Sequence, residues 1–132
     1  MVNEEGLYLP AFSIEFSMDE GSFWGLLDRL VAESRVIVEN PRGVLDDDPS
    51  SIAYPVDYGY LEYTSSMDGD GIDVFVGSDP GQRVDAFICT VDLVKRDSEI
   101  KVLIGCTEEE KQVIKRLYEA FPSMRGLLIR RG

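Results

Sequence analysis

The sequence predicts an α+β protein, a small closed antiparallel β-barrel flanked by two helices. Three observations carry this. Short β-favouring segments follow one another as hairpins from Arg35 to Ile104, one amphipathic helix pattern precedes them and one follows, and no strand–helix–strand alternation of a parallel sheet is present. Closing the barrel is the economical way to finish five or six short strands, because it leaves no unpaired edge.

The chain has 132 residues, 44% of them hydrophobic, enough for a single domain over residues 1–132 that buries about two thirds of its chain surface. Leu7 to Phe16, interrupted by Pro10, reads as an edge strand. Phe23, Leu26, Leu27, Leu30 and Val31 recur at helical spacing, and Asp19 or Ser22 can cap that helix. Arg35 to Glu39 forms a strand that stops at the turn Asn40-Pro41-Arg42-Gly43, ahead of an acidic loop from Leu45 to Ser51. Tyr54 to Tyr63 and Ile72 to Val76 are extended and flank the turn Ser65 to Gly71. Gln82 to Val94 and Glu99 to Ile104 form a hairpin across Arg96-Asp97-Ser98. Thr107-Glu108-Glu109-Glu110 is a capping box that opens a helix with Val113, Ile114, Leu117 and Tyr118 as its apolar stripe, ending near Pro122.

Charge and composition narrow the chemistry. Thirteen Lys and Arg oppose twenty-five Asp and Glu, a net charge of -12, so a nucleic-acid backbone is repelled. With no His, imidazole bases, His-containing triads and His-dependent zinc sites are excluded. Cys89 and Cys106 sit in apolar runs and read as buried, reduced thiols. No basic leader and no apolar run of about 18 residues is present, so a membrane partner is not expected and the cytoplasm is the expected compartment. Hard, oxygen-seeking cations are the natural metals of such a chain.

The densest chemical signal is Met67-Asp68-Gly69-Asp70-Gly71-Ile72-Asp73, three carboxylates within six residues. Such crowding is costly without a compensating cation, and Asp73 lies inside an otherwise apolar strand, where a charge is disfavoured unless it faces a polar site. An EF-hand-like calcium loop competes, since Ser66, Asp68, Asp70 and Gly71 match its early positions, but Gly77 stands where the closing Glu belongs. Upstream, Tyr54-Pro55-Val56-Asp57-Tyr58-Gly59-Tyr60 offers phenols able to hydrogen-bond a water or a phosphate oxygen, or simply to pack.

The paired segments Tyr54-Pro55-x-x-Tyr58-Gly59-Tyr60 and Asp68-Gly69-Asp70-Gly71-Ile72-Asp73-Val74 resemble the core of the soluble family I inorganic pyrophosphatases, with Gly71 in place of the family's proline. The resemblance extends over about Arg35 to Ile104. It implies an OB-like five-stranded barrel and hydrolysis of pyrophosphate with Mg²⁺ as cofactor. Asp68 and Asp73 become metal ligands, with Asp70 positioning or deprotonating the attacking water at the same metal. Tyr58 becomes its hydrogen-bond partner, and Tyr54 part of the wall. Lys95 to Lys101 is similar to a later family segment, which makes Asp97 and Glu99 further metal ligands and Lys101 a phosphate contact. Arg35 is similar to a phosphate-binding lysine, and Arg42 can supply a missing arginine. The family's next acid falls on Ile37, with Glu39 on the same strand face as its substitute, Glu15 is a weaker early counterpart, and the late Tyr-Lys pair has no match between Phe121 and Arg131.

These departures keep two other readings open, a non-catalytic metal-binding relative and a phosphohydrolase acting on a nucleotide or another small phosphate ester. The oligomeric state, a homo-oligomer included, is not fixed by the sequence. Taken alone, Lys101 also fits a solvated strand residue alternating with Ile100 and Val102, for which substitution by Met costs less than about 1 kcal/mol.

Overall fold

Ser22 caps the first described helix: its Oγ accepts from Gly25 N at 3.0 Å, satisfying one of the donors that a helix start leaves open. A computed structural model describes residues 21–43, 53–67, 69–79, 81 and 83–132. The elements are α1 (Phe23–Ala32), β1 (Val36–Asn40), β2 (Asp57–Leu61), β3 (Ile72–Val76), β4 (Val84–Asp92), β5 (Asp97–Ile104), α2 (Glu108–Leu117) and β6 (Met124–Arg130). The expected edge strand from Leu7 to Phe16, Asp19, Glu15, the whole acidic loop from Leu45 to Ser51 and Asp68 lie outside the described residues.

All six strands join one sheet in the order β1-β2-β3-β5-β4-β6. The pairs are antiparallel except β3 with β5, where Val74, Phe75 and Val76 run parallel to Val102, Leu103 and Ile104. The connection after β3 carries β4 one place beyond its neighbour, and the β4–β5 hairpin folds β5 back into the gap, so β3 and β5 point the same way. The sheet is therefore mixed rather than wholly antiparallel. Among the described residues β1 and β6 stand at its two ends without pairing, so closure of the barrel is not made by hydrogen bonds between them.

Two apolar clusters sandwich the sheet. Residues opposite one another in a ladder share a face, so Tyr58 and Phe75 point with Leu103 and Ile88. On that face Phe75, Ile88, Leu103 and Val56 pack under Ile114 and Tyr118 of the α2 region. On the opposite face Leu61, Val74, Val102 and Ile104 pack against Leu27, with Trp24, Leu30 and Val31 of α1 around them. The stripes at three- and four-residue spacing thus do what such stripes do, burying one side of each helix on the sheet.

The second hairpin turns earlier than its sequence suggests. Asp92 closes β4, its Oδ1 accepting from Val94 N at 2.9 Å and Lys95 N at 3.1 Å, an Asx turn that satisfies backbone donors locally. Pairing resumes with Asp97 opposite Asp92.

Strand β6 was not expected from the sequence. Gly126 interrupts its apolar alternation, yet β6 pairs with β4 along seven positions from Ala86–Arg130 to Asp92–Met124. A Cβ at Gly126 would lie 2.6 Å from Ile88 Cδ1 and 3.2 Å from Tyr118 Cβ, so a side chain there would crowd both where Tyr118 lies over the sheet. Helix α2 also ends sooner than Pro122: Leu117 is its last residue, and Tyr118 is the C-cap.

Candidate active site

Strand β3 carries Asp73 onto the face that β2 supplies with Tyr58 and Tyr60, and β5 brings Lys101 and Glu99 beside it. The result is a polar network inside the sheet. Lys101 Nζ donates to Asp73 Oδ2 at 2.6 Å, to Glu99 Oε2 at 2.9 Å and to Tyr58 Oη at 3.1 Å. Tyr58 Oη in turn donates to Asp73 Oδ2 at 2.7 Å. Lys101 and Glu99 are buried, and a buried charge of this kind is tolerated because it is paired and hydrogen-bonded. The sequence-level alternative of a solvated Lys101 does not hold, since residues alternating along β5 face opposite sides and its neighbours Ile100 and Val102 occupy the other one.

Protonation follows from the packing. Burial lifts Tyr58 above the ordinary phenol range, the Lys101 charge opposes this, and the Asp73 hydrogen bond reinforces it. It therefore remains a donor. Burial lowers Lys101, but the Tyr118 and Tyr58 oxygens and Asp73 outweigh it and hold the ammonium above the usual lysine range.

Two recesses meet at this network. One is a cavity of about 150 Å³ whose wall includes Tyr54, Tyr58, Tyr118, Lys95, Lys101 and the acids Asp92, Asp97 and Glu99. Tyr54 stacks on Tyr58 with ring centres 4.4 Å apart and planes 8° from parallel. Leu117, Phe121 and Met124 form its apolar side. The other recess is a depression of about 440 Å³ bounded by Glu39, Tyr60, Asp70, Gly71 and Asp73. Asp73 borders the depression and bonds Lys101 in the cavity, joining the two.

The predicted site residues are therefore distributed as follows. Tyr54, Tyr58, Asp97, Glu99 and Lys101 share the cavity, while Asp70 and Asp73 share the depression with Glu39. Arg35 is far more exposed, and its Nη2 pairs with Glu62 Oε2 at 2.9 Å. Arg42 lies in an exposed turn, its backbone N donating to Asp57 Oδ1 at 2.8 Å. Four polar wall residues were not anticipated, Lys95 among them. Thr90 and Asp92 follow Ile88 at two-residue steps along β4 and so share its face, which the alternation could have revealed. Tyr118 reads as part of an apolar helical stripe, and its position at the helix C-cap turns its ring toward the cavity as well as the core. Burial raises its phenol above the ordinary range.

Comparison with solved structures identifies the architecture. The inorganic pyrophosphatase of Thermus thermophilus matches with a TM-score of 0.57 at 22% identity, over 73% of this chain and 81% of that one. The chain has the inorganic pyrophosphatase fold. The inorganic pyrophosphatase of Coxiella burnetii matches at a TM-score of 0.51 and 20% identity, covering 72% of this chain and 82% of that one. An inorganic phosphatase of Anaplasma phagocytophilum gives 0.51 and 16%, with 72% and 81% covered. No protein-family model matches the chain, and no curated protein matches it in sequence. No described helix is long and apolar enough to cross a membrane.

The donor set can be weighed against the magnesium that the sequence resemblance implies. Among the described residues no three acids or thiols are grouped closely enough to enclose an ion. Asp73 and Glu99, however, already grip a common cation, the Lys101 ammonium. Magnesium is ordinarily held by only one or two carboxylates, with waters and phosphate oxygens completing its octahedron. The carboxylate pair meets that requirement.

Proposed function

We propose that the protein hydrolyses inorganic pyrophosphate to two phosphates in a Mg²⁺-dependent reaction. The network of Tyr58, Asp73, Lys101 and Glu99 carries the reading, because it places carboxylates, a phenol donor and a cation at the junction of two recesses. Asp73 and Glu99 would hold the metal, with Asp68, Asp70 and Asp97 as the other ligands the sequence motif suggests. When bound, Mg²⁺ supplies neutralising charge for a highly anionic substrate and acidifies the attacking water.

The chain's own groups do the rest. Asp70, in the depression beside Asp73, takes the proton of the attacking water. Tyr58, held protonated by burial, orients that water by hydrogen bonding. Lys101, with Lys95 on the same wall, stabilises charge on the departing phosphate. Arg35 and Arg42 are exposed phosphate contacts in this reading. The cavity of about 150 Å³ around Lys101 and Lys95 suits a small anionic group, being below the roughly 300–1,000 Å³ of drug-sized ligand sites.

Phosphate release from pyrophosphate, measured with Mg²⁺, with excess chelator and against a panel of nucleotides, tests this. Mg²⁺-dependent release, selective for pyrophosphate and cut about 10²-fold or more by Asp70→Asn, is expected. Full activity in chelator, or faster release from a nucleotide, overturns it.

A further inference from the structure

We propose that Lys101 is an internal counter-ion which a divalent metal must displace from Asp73 and Glu99, and that the displaced ammonium then becomes the phosphate contact. The inference rests on the pyrophosphatase reading of the site but concerns the order in which its charges are exchanged.

The geometry supplies the reason. Lys101 Nζ has three acceptors, and two are the very carboxylates that a metal needs. An ammonium at 2.6 Å from Asp73 Oδ2 and 2.9 Å from Glu99 Oε2 stands in a position where a second cation would be repelled. Two cations therefore cannot both use these oxygens at full strength. The lysine stem is long and has four rotatable carbons, so the charge can leave while its backbone stays in β5. Its open direction is the cavity wall that it shares with Tyr54, Tyr118 and Lys95. An ammonium moving there gives up its two bonded carboxylates, and on a wall shared with Asp92 and Asp97 it is the cation that a phosphate can bind. Metal entry thus creates the phosphate contact, and a phosphate that captures the ammonium makes the carboxylates more available to the metal. By linkage, each ligand strengthens the other's binding.

The arrangement also explains how the acids persist together without metal. Lys101 bonds both and offsets one of their two charges, so the metal-free protein avoids two adjacent carboxylates with no cation between them.

The test uses the whole chain and two readouts independent of turnover. In calorimetric titrations with MgCl₂ alone, Lys101→Met should bind Mg²⁺ about tenfold more tightly than the wild type, because its competitor is gone. In the wild-type protein, acetylation of Lys101 followed by mass spectrometry should rise about fivefold or more when Mg²⁺ is added and fall again when inorganic phosphate is then supplied. Equal or weaker Mg²⁺ binding by a folded Lys101→Met protein overturns the proposal, and so does acetylation of Lys101 that Mg²⁺ leaves unchanged. If Lys101→Met does not fold, the wild-type labelling decides by itself. Phosphate release from pyrophosphate with unmoved labelling sinks the exchange and spares the enzyme reading. Labelling that moves without any pyrophosphate hydrolysis does the reverse.

Discussion

Lys101 Nζ lies 2.6 Å from Asp73 Oδ2, although 28 positions separate the two residues. The parallel pairing of β3 with β5 makes this contact, by laying two strands of different hairpins side by side. It makes Lys101 part of the interior, with 7% of its surface exposed.

Replacing Lys101 by Met should therefore cost more than a surface substitution. Asp73 and Glu99 would lose the charge between them, and removing one partner of a buried pair is strongly destabilising. Because the Asp73 side chain is 26% exposed, about 2–3 kcal/mol is expected rather than the full buried-pair penalty. Urea denaturation without metal measures it, and a loss below about 0.5 kcal/mol would contradict the buried position.

Tyr58→Phe should lower phosphate release while leaving the ring stack on Tyr54 intact. It removes the donor to Asp73 and one acceptor for Lys101, for an expected stability loss of about 1–2 kcal/mol. Unchanged turnover in this variant would remove Tyr58 from the catalytic groups.

Gly126→Ala tests how β6 holds Tyr118 over the sheet. The added methyl meets Ile88 Cδ1 at 2.6 Å, and overpacking of this sort costs about 1–2 kcal/mol. Ile88→Val deletes the clashing methyl. The double variant should then be more stable than the sum of the single losses, a coupling that a thermal-denaturation cycle reads directly.

The capping box of α2 gives a pH signature. Partial burial pulls Glu110 upward, but hydrogen bonds from Thr107 and Ser78 outweigh it and hold the carboxyl below its ordinary value near 4.5. A folded pKa below the unfolded one means stability that is fully present above about pH 4.5 and is lost as pH falls through the folded value. Glu110→Gln should flatten that acid limb and leave the neutral limb's slope unaltered. Thr107→Ala should cost about 1 kcal/mol at neutral pH.

The two thiols should separate by reactivity. Burial pushes Cys106 up to about 12, whereas Cys89 is half-exposed on β4. A thiol reagent at mildly alkaline pH should modify Cys89 in the native protein and reach Cys106 only after denaturation. Equal native rates would show that the α2 face opens readily.

Local signals in the chain determined its helices, its hairpins and much of the site's chemistry. The stripe from Phe23 to Val31 and the Thr107 capping box act through neighbours three or four residues away, and both produce the helices they predict. The apolar setting of Asp73 marked it as a charge with a polar destination. What that destination is depends on strand order. Only the insertion of β5 between β3 and β4 sets Lys101 against Asp73 and Tyr58, and no spacing within one segment encodes a contact between strands of different hairpins. Strand β6 and the place of Tyr118 belong with it, because Gly126 weakens the alternation that announces a strand while allowing the close approach that forms it. Periodicity reports which face of an element is buried; the sheet's long-range pairing decides what that face meets.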